Sequence, residues 1–197
     1  MVRTRAKDHD DKRAGIMETA ARIFADGGYD RTSMAQLAAE CGVSKALIYH
    51  YYASKEALLF DIIDTHLSDL IEAVEEADLP DAEPVERLET LIAALLESYR
   101  DADSKHKVQL GAIALLPEEQ QEHLKSLERR LVVRFSDAVR AINPEAFDGR
   151  PLLKPVTMSL FGMLNWFYMW FREGGPVTRS GYAKLATRLL VSGVKGL

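Results

Sequence analysis

Apolar residues recur at three- and four-residue spacing along the chain, and no segment alternates with the two-residue period of a half-buried strand. The pattern predicts an all-α protein of about nine helices. In the first, over 11–26, Ala14, Ile16, Met17, Ala20, Ile23 and Phe24 form one buried stripe. Gly27-Gly28 ends it, because glycine accepts the left-handed conformation that closes a helix. Thr32 or Ser33 is placed to cap a second helix over 34–40, with Met34, Leu37 and Ala38 facing inward. Gly42 closes that helix, Val43 packs beneath it, and Ser44 caps a short third helix over 45–51. Ser54 opens a long fourth helix to about residue 77, roughly 35 Å at 1.5 Å per residue.

The stretch 78–84 holds two prolines and reads as a linker. Five helices are expected beyond it, near 84–101, 105–115, 117–142, 151–172 and 179–195. Pro117, Pro144, Pro151 and Gly174-Gly175-Pro176 mark the breaks. Pro155 falls near the start of the fourth of these, where its missing N–H costs least. The expected domains are residues 10–70, with a helix-turn-helix at about 33–52, and residues 78–197.

Composition narrows the class. The chain has 197 residues, enough for a real core, and its one cysteine, Cys41, allows no internal disulfide. That suits a reducing cytosol, and the expected location is cytoplasmic. The N-terminal Arg3-Thr4-Arg5-Ala6-Lys7 is basic but is not followed by an apolar run, so it does not read as a secretory signal. The most apolar stretch, 156–171, includes Thr157, Ser159 and Asn165 and falls short of the roughly 20 residues that span a bilayer. It reads as a buried helix, and no membrane partner is expected. The net charge of −5 is uneven: residues 1–60 carry 9 Lys+Arg against 8 Asp+Glu, whereas residues 61–197 carry 16 against 22. An acidic body argues against a nonspecific polyanion binder and leaves room for a local nucleic-acid contact in the first third. Plain solvation of both regions is the alternative, and on charge alone it is the favoured one.

The stretch 42–52, GVSKALIYHYY, carries more polar-tipped side chains than a core needs. Two short helices joined by a glycine turn and held by a preceding helix have the plan of a helix-turn-helix, whose second helix enters the major groove. Ala35, Leu37, Ala38, Val43 and Ile48 suit the packing between the two helices. Ser44, Lys45, Ala46, Leu47, Tyr49, His50 and Tyr51 are left outward, and Tyr52 is open to an inward position. Hydroxyls and an ammonium suit phosphate oxygens or a guanine edge, and Ala46 and Leu47 suit a thymine methyl. Thr32 and Ser33 stand at the start of the first helix of the motif. Lys55 opens the fourth helix, where its ammonium and the helix N-terminus suit one phosphate.

The run IMETAARIFADGGYDRTSMAQLAAECGVSKALIYHYYASKEALL, residues 16–59, resembles the DNA-binding domain of the tetracycline-repressor (TetR) family. The likeness includes Ala-Arg-Ile-Phe, Gly-Tyr-x-x-Thr-Ser, Gly-Val-Ser, Ile-Tyr-x-Tyr-Tyr and Lys-Glu-x-Leu-Leu, and departs slightly at Tyr51-Tyr52, where many members carry a phenylalanine second. The resemblance implies a three-helix DNA-binding domain followed by a helical ligand-binding and dimerisation domain. It also implies a homodimer on a roughly palindromic double-stranded DNA operator, a small-molecule effector and a repressing mode. Under it, the basic N-terminal arm is a candidate for an added DNA contact, and the alternative is a tail with incidental charge.

The second half then divides between two tasks. Tyr182, Leu185, Ala186, Leu189, Leu190, Gly193, Val194 and Leu197 form a wide stripe on the last helix, and the helix before it is apolar almost all round. Trp166, Tyr182, Leu185, Ala186, Leu189 and Gly193 are the expected dimer contacts, with an intrachain core as the alternative. Tyr99, Met158, Phe161, Asn165, Trp166, Met169, Trp170 and Arg172 are the expected effector contacts, since a concave apolar site needs a few polar groups. A buried Asn165 amide needs a partner, which is a ligand, Tyr99 or a second subunit. The run 164–193 is similar to the same region of family members that answer to acyl-CoA thioesters, which makes such a thioester a candidate effector. Its phosphates need cations, and Arg129, Arg130, Arg134 and Arg172 are available. The segment 108–117 is placed to pack against the long helix and pass on an effector's signal.

An enzyme is the rival class, and no HExxH, P-loop, GxSxG or paired-cysteine motif supports it. The five histidines show no ligand spacing, so no metal, cofactor or catalytic residue is expected. Asp61 and Asp64 read as an ordinary charged helix face. A DNA-binding architectural protein without an effector is a further alternative.

Overall fold

A computed structural model describes residues 2–197, with side chains described from residue 9 onward. The arm at 3–7 therefore lies outside the described side chains. Among the described residues all regular structure is helical: α1 (Val2–Gly27), α2 (Met34–Glu40), α3 (Lys45–Tyr51), α4 (Lys55–Ala77), α5 (Pro84–Ser98), α6 (Asp103–Ala112), α7 (Glu118–Ile142), α8 (Leu153–Asn165), α9 (Phe167–Trp170) and α10 (Arg179–Lys195). Short 3-10 turns cover Ile113–Leu115 and Pro144–Phe147.

The chain forms two compact units. One contains residues 1–67 and 101–125, the other residues 68–100 and 126–197. This division differs from the linear boundaries expected from sequence, because α6 packs on α1. In the first unit Ile16, Ala20 and Phe24 of α1 are buried with Leu37, Ile48, Leu58 and Ile62 of the next three helices. Ala21 takes the buried position expected of Ala14, which is exposed. Lys105 of α6 pairs with Glu18 of α1 at 3.0 Å. The ring of His106 meets that of His66 on α4 edge-on at 5.8 Å, and both are buried. Asp64 Oδ1 accepts from the ring Nε2–H of His123 at 2.6 Å.

In the second unit Leu88, Leu91, Ile92 and Leu95 of α5 form a wholly buried stripe, and α5 packs on α10. α8 lies against α10 and, through Phe161–Phe135 and a Ser136–Thr157 hydroxyl bond, against α7. The single helix expected over 151–172 is interrupted. Trp166 caps α8, and Phe167 is pulled inward to stack on Phe171 at 4.2 Å and Tyr182 at 5.1 Å. Burying one face of this aromatic group turns the chain where a straight helix would have carried Phe167 elsewhere. Asp78, with its side chain 4% exposed, is held by Arg87 at 2.7 Å and Arg134 at 3.0 Å.

Candidate nucleic-acid interface

The α2–turn–α3 unit is closed by local chemistry. Ser33 and Gln36 form a reciprocal capping box at the start of α2: the Ser33 N–H donates to Gln36 Oε1 at 2.8 Å, and the Gln36 N–H to Ser33 Oγ at 3.2 Å. Gly42 has φ +64°, a left-handed conformation that costs glycine little, and Val43 N–H returns to Ala38 O at 2.9 Å. Ser44 Oγ then accepts from Leu47 N–H at 3.1 Å and starts α3.

One side chain of α3, Ile48, is fully buried and anchors the helix, which packs on α2; its truncation to alanine removes about 2–5 kcal/mol. Everything else on α3 faces outward or lies half-buried. Ser44, Lys45, Ala46 and His50 are exposed, Tyr49 is 44% exposed, and Leu47 and Tyr51 are intermediate. Tyr51 lies between the rings of His9, 4.7 Å away on α1, and His50, 5.6 Å away. The exposed face therefore gathers an ammonium, hydroxyls, one imidazole and the apolar groups of Ala46 and Leu47 on one short helix, the inventory needed for phosphate and base edges.

Three expectations change. Thr32 is buried, and its hydroxyl donates to Gly28 O at 3.0 Å, so its side chain serves the loop. Lys55 is turned inward: Nζ donates to the carbonyls of Tyr29 and Thr32, both at 2.9 Å, and sits 4.1 Å from the centre of the Tyr29 ring. Ala35 is exposed rather than packed between the helices, because the buried face of α2 is made by Met34, Leu37 and Ala38. Tyr52 does point inward and donates to Asp61 at 2.6 Å. Burial, then the Asp61 hydrogen bond and charge, push its hydroxyl pKa well up. Burial, with Glu56 and Asp30 adding, pushes the Tyr29 hydroxyl up to about 12. Both phenols thus remain neutral supports beneath the reading face. Burial also raises the Cys41 thiol, which suits packing rather than nucleophilic work.

Sequence reading passed over Arg31 and Gln36. Both are exposed at the start of α2 and line an open groove of about 690 Å³ with Arg22, Asp26 and Glu40. The Ser-x-x-Gln spacing was a legible sign of Gln36; Arg31 carries no such local signal.

The expected effector residues divide between buried and exposed positions. Tyr99 and Phe161 are buried, and the Tyr99 hydroxyl donates to Asn165 Oδ1 at 3.0 Å, which identifies one partner of that amide. Met158 lies on the outward face of α8, and Trp166, Met169 and Trp170 lie on the surface of the chain because α8 ends at Asn165 and the following turn buries Phe167 instead. Arg172 is exposed and donates to Phe171 O. Of the expected dimer contacts, Trp166, Leu185, Leu189 and Gly193 are exposed. Tyr182 is intermediate and donates to Met163 O. Ala186 is fully buried, since its face of α10 is the one that packs within the chain. Beside the exposed leucines runs a groove of about 290 Å³ lined by Val156, Met163, Leu190, Val194 and neighbours. Among the described residues, no group of three His, Cys, Asp or Glu side chains is placed to hold a metal ion, and no helix is long and apolar enough to cross a membrane.

Residues 16–62 match the family described as bacterial regulatory proteins, tetR family, and residues 81–194 match the tetracyclin repressor-like C-terminal domain. The chain is 25% identical over 193 residues to the transcriptional repressor KstR2 of Rhodococcus jostii (strain RHA1), covering 93% of this chain and 91% of that one. Its matches to two Bacillus subtilis regulators span about a third or less of those proteins. A TetR-family transcriptional regulator from Bordetella parapertussis 12822 superposes with a TM-score of 0.86 at 34% identity, over 94% of this chain and 96% of that chain. AibR, solved in complex with isovaleryl coenzyme A and operator DNA, superposes with a TM-score of 0.77 at 29% identity, over 91% of this chain and 98% of that one.

Proposed function

We propose that this chain, which belongs to the TetR family of DNA-binding transcriptional regulators, is a homodimeric repressor released from a roughly palindromic operator by a small, largely apolar effector. The observation that carries the reading is the division of α3: Ile48 is wholly buried, while Ser44, Lys45, Ala46, Tyr49 and His50 stand outward around it. A helix whose whole task is presentation needs one anchor and an open face. These residues are the proposed DNA contacts, joined by Ser33, Leu47 and Tyr51. In a dimer, two such helices enter successive major grooves, about 34–36 Å apart or further.

The proposed dimer face is the outer side of α8 and α10. Leu185, Leu189, Met158 and Trp166 are large apolar side chains left exposed together with Gly193, which permits close helix approach. An acyl-CoA thioester is the proposed effector class, supported by the coenzyme A complex of AibR. Arg129, Arg130, Arg134 and Arg172 remain the proposed phosphate contacts. Arg130 is paired with Glu75 and Arg134 with Asp78, so a phosphate must displace or share those carboxylates. An effector acts by binding one arrangement of the reading heads better than another, and a tenfold loss of operator affinity requires ~1.4 kcal/mol of such preference.

The test is selection of bound duplexes from a random library, followed by release with short-chain acyl-CoA thioesters, the corresponding free acids and coenzyme A alone. Enrichment of a palindrome that thioesters alone release supports the full reading. Enrichment without release by any of the three removes the acyl-CoA assignment and leaves the regulator.

A further inference from the structure

We propose that Lys55 is a positioning residue for the reading helices and makes no phosphate contact: its ammonium ties the start of α4 to the α1–α2 loop and so sets the angle at which α2 and α3 meet DNA. The inference rests on the DNA-binding reading above. Lys55 is the first residue of α4, where an ammonium and the positive end of a long helix together suit an anion. The side chain is committed elsewhere. Nζ donates to Tyr29 O and Thr32 O, each at 2.9 Å, and the Tyr29 ring lies 4.1 Å from it. Charge-assisted hydrogen bonds of this kind are stronger than neutral ones, and the ring quadrupole adds to them. Turning the ammonium out to a phosphate breaks all three interactions at once.

The loop it holds is closely tied. Thr32 N–H donates to Tyr29 O at 3.1 Å, Thr32 Oγ1 donates to Gly28 O, and Arg31 Nε donates to Gly27 O at 2.8 Å. Those bonds are all internal to the turn and fix its shape. Lys55 supplies a donor from α4 and so fixes its place. The loop ends at Ser33, which caps α2. α2 is packed on α3 through Leu37, Ala38 and Ile48, so freedom in the loop becomes freedom in the register of Ser44, Lys45 and Tyr49.

A phosphate contact and a positioning tie differ in their salt signature. Each neutralised phosphate contributes about 0.9 to the slope of log affinity against log salt, and a tie inside the protein contributes nothing. The experiment measures binding of wild type, Lys55→Gln and Lys45→Ala to the selected duplex across a salt series, with melting curves for each. Lys55→Gln is expected to weaken binding about tenfold, ~1.4 kcal/mol, at an unchanged slope, whereas Lys45→Ala makes the slope shallower. A shallower slope in Lys55→Gln, or unchanged affinity, overturns the inference. Should Lys55→Gln fail to fold, the wild type is decisive. The Lys55 ammonium nitrogen is expected to show scalar coupling to the two carbonyl carbons with and without duplex. Loss of that coupling when duplex is added overturns the inference. Failure of the wild type to bind any duplex overturns the DNA-binding reading itself.

Discussion

The hydroxyl of Tyr52 donates to Oδ2 of Asp61 at 2.6 Å, and Nε of Arg13 donates to the same oxygen at 3.1 Å. One carboxylate on α4 thus joins the C-terminal end of α3 to α1. Replacing Tyr52 by phenylalanine keeps the ring and removes one hydrogen bond to a charged group. The expected loss is about 1–2 kcal/mol in urea unfolding, with operator affinity falling as the end of α3 loosens.

His66 supplies a pH dependence. Burial, with the charges of His106 and Lys105 adding, pushes it down from 6.5 to about 3. Between those values the unfolded chain binds a proton that the folded chain refuses, so stability rises with pH through this window and is fully present above it. This one group is expected to make the protein about 2 kcal/mol less stable at pH 5 than at pH 7. Urea midpoints of wild type and His66→Gln at the two pH values check it. The wild-type difference should shrink in the variant.

Asp78 is nearly buried between two arginines. Asp78→Asn leaves Arg87, itself little exposed, without its counter-charge. A destabilisation of about 3 kcal/mol is expected, measured by denaturant unfolding, with the helical content of the folded state unchanged.

A charge placed on the proposed dimer face should separate the subunits. Leu189→Glu puts a carboxylate among exposed apolar side chains at a position 56% exposed in the single chain. Sedimentation is expected to show wild type at about twice the chain mass and the variant at the 22.1 kDa of one chain.

The helix-turn-helix was legible because its signals are local. Ser33 and Ser44 cap, Gly42 turns, and Leu37 and Ile48 fall at helical spacing, so the expected helices 34–40 and 45–51 coincide with α2 and α3. What the sequence did not disclose are side-chain unions between distant positions. Lys55 meets carbonyls 23 and 26 residues earlier, and Arg13 meets Asp61 across 48 residues. On sequence alone Asp61 is one charge on a helix face, and only packing turns it toward Tyr52. The placement of α6 on α1 was hidden for the same reason, since periodicity reports which face is buried and not against what. The turn after Asn165 was hidden because residues on both sides of it are apolar, so a straight helix and a bent one share one hydropathy pattern.

On the proposed function, α3 reads DNA with its outward face. Its most direct test is the affinity of the double variant Lys45→Ala, Tyr49→Ala for the duplex selected by the wild type. Both side chains are exposed, so the fold and the subunit assembly should survive their loss. The expected result is loss of specific binding at unchanged sedimentation. Wild-type affinity in the double variant would contradict the assignment of α3 as the reading helix.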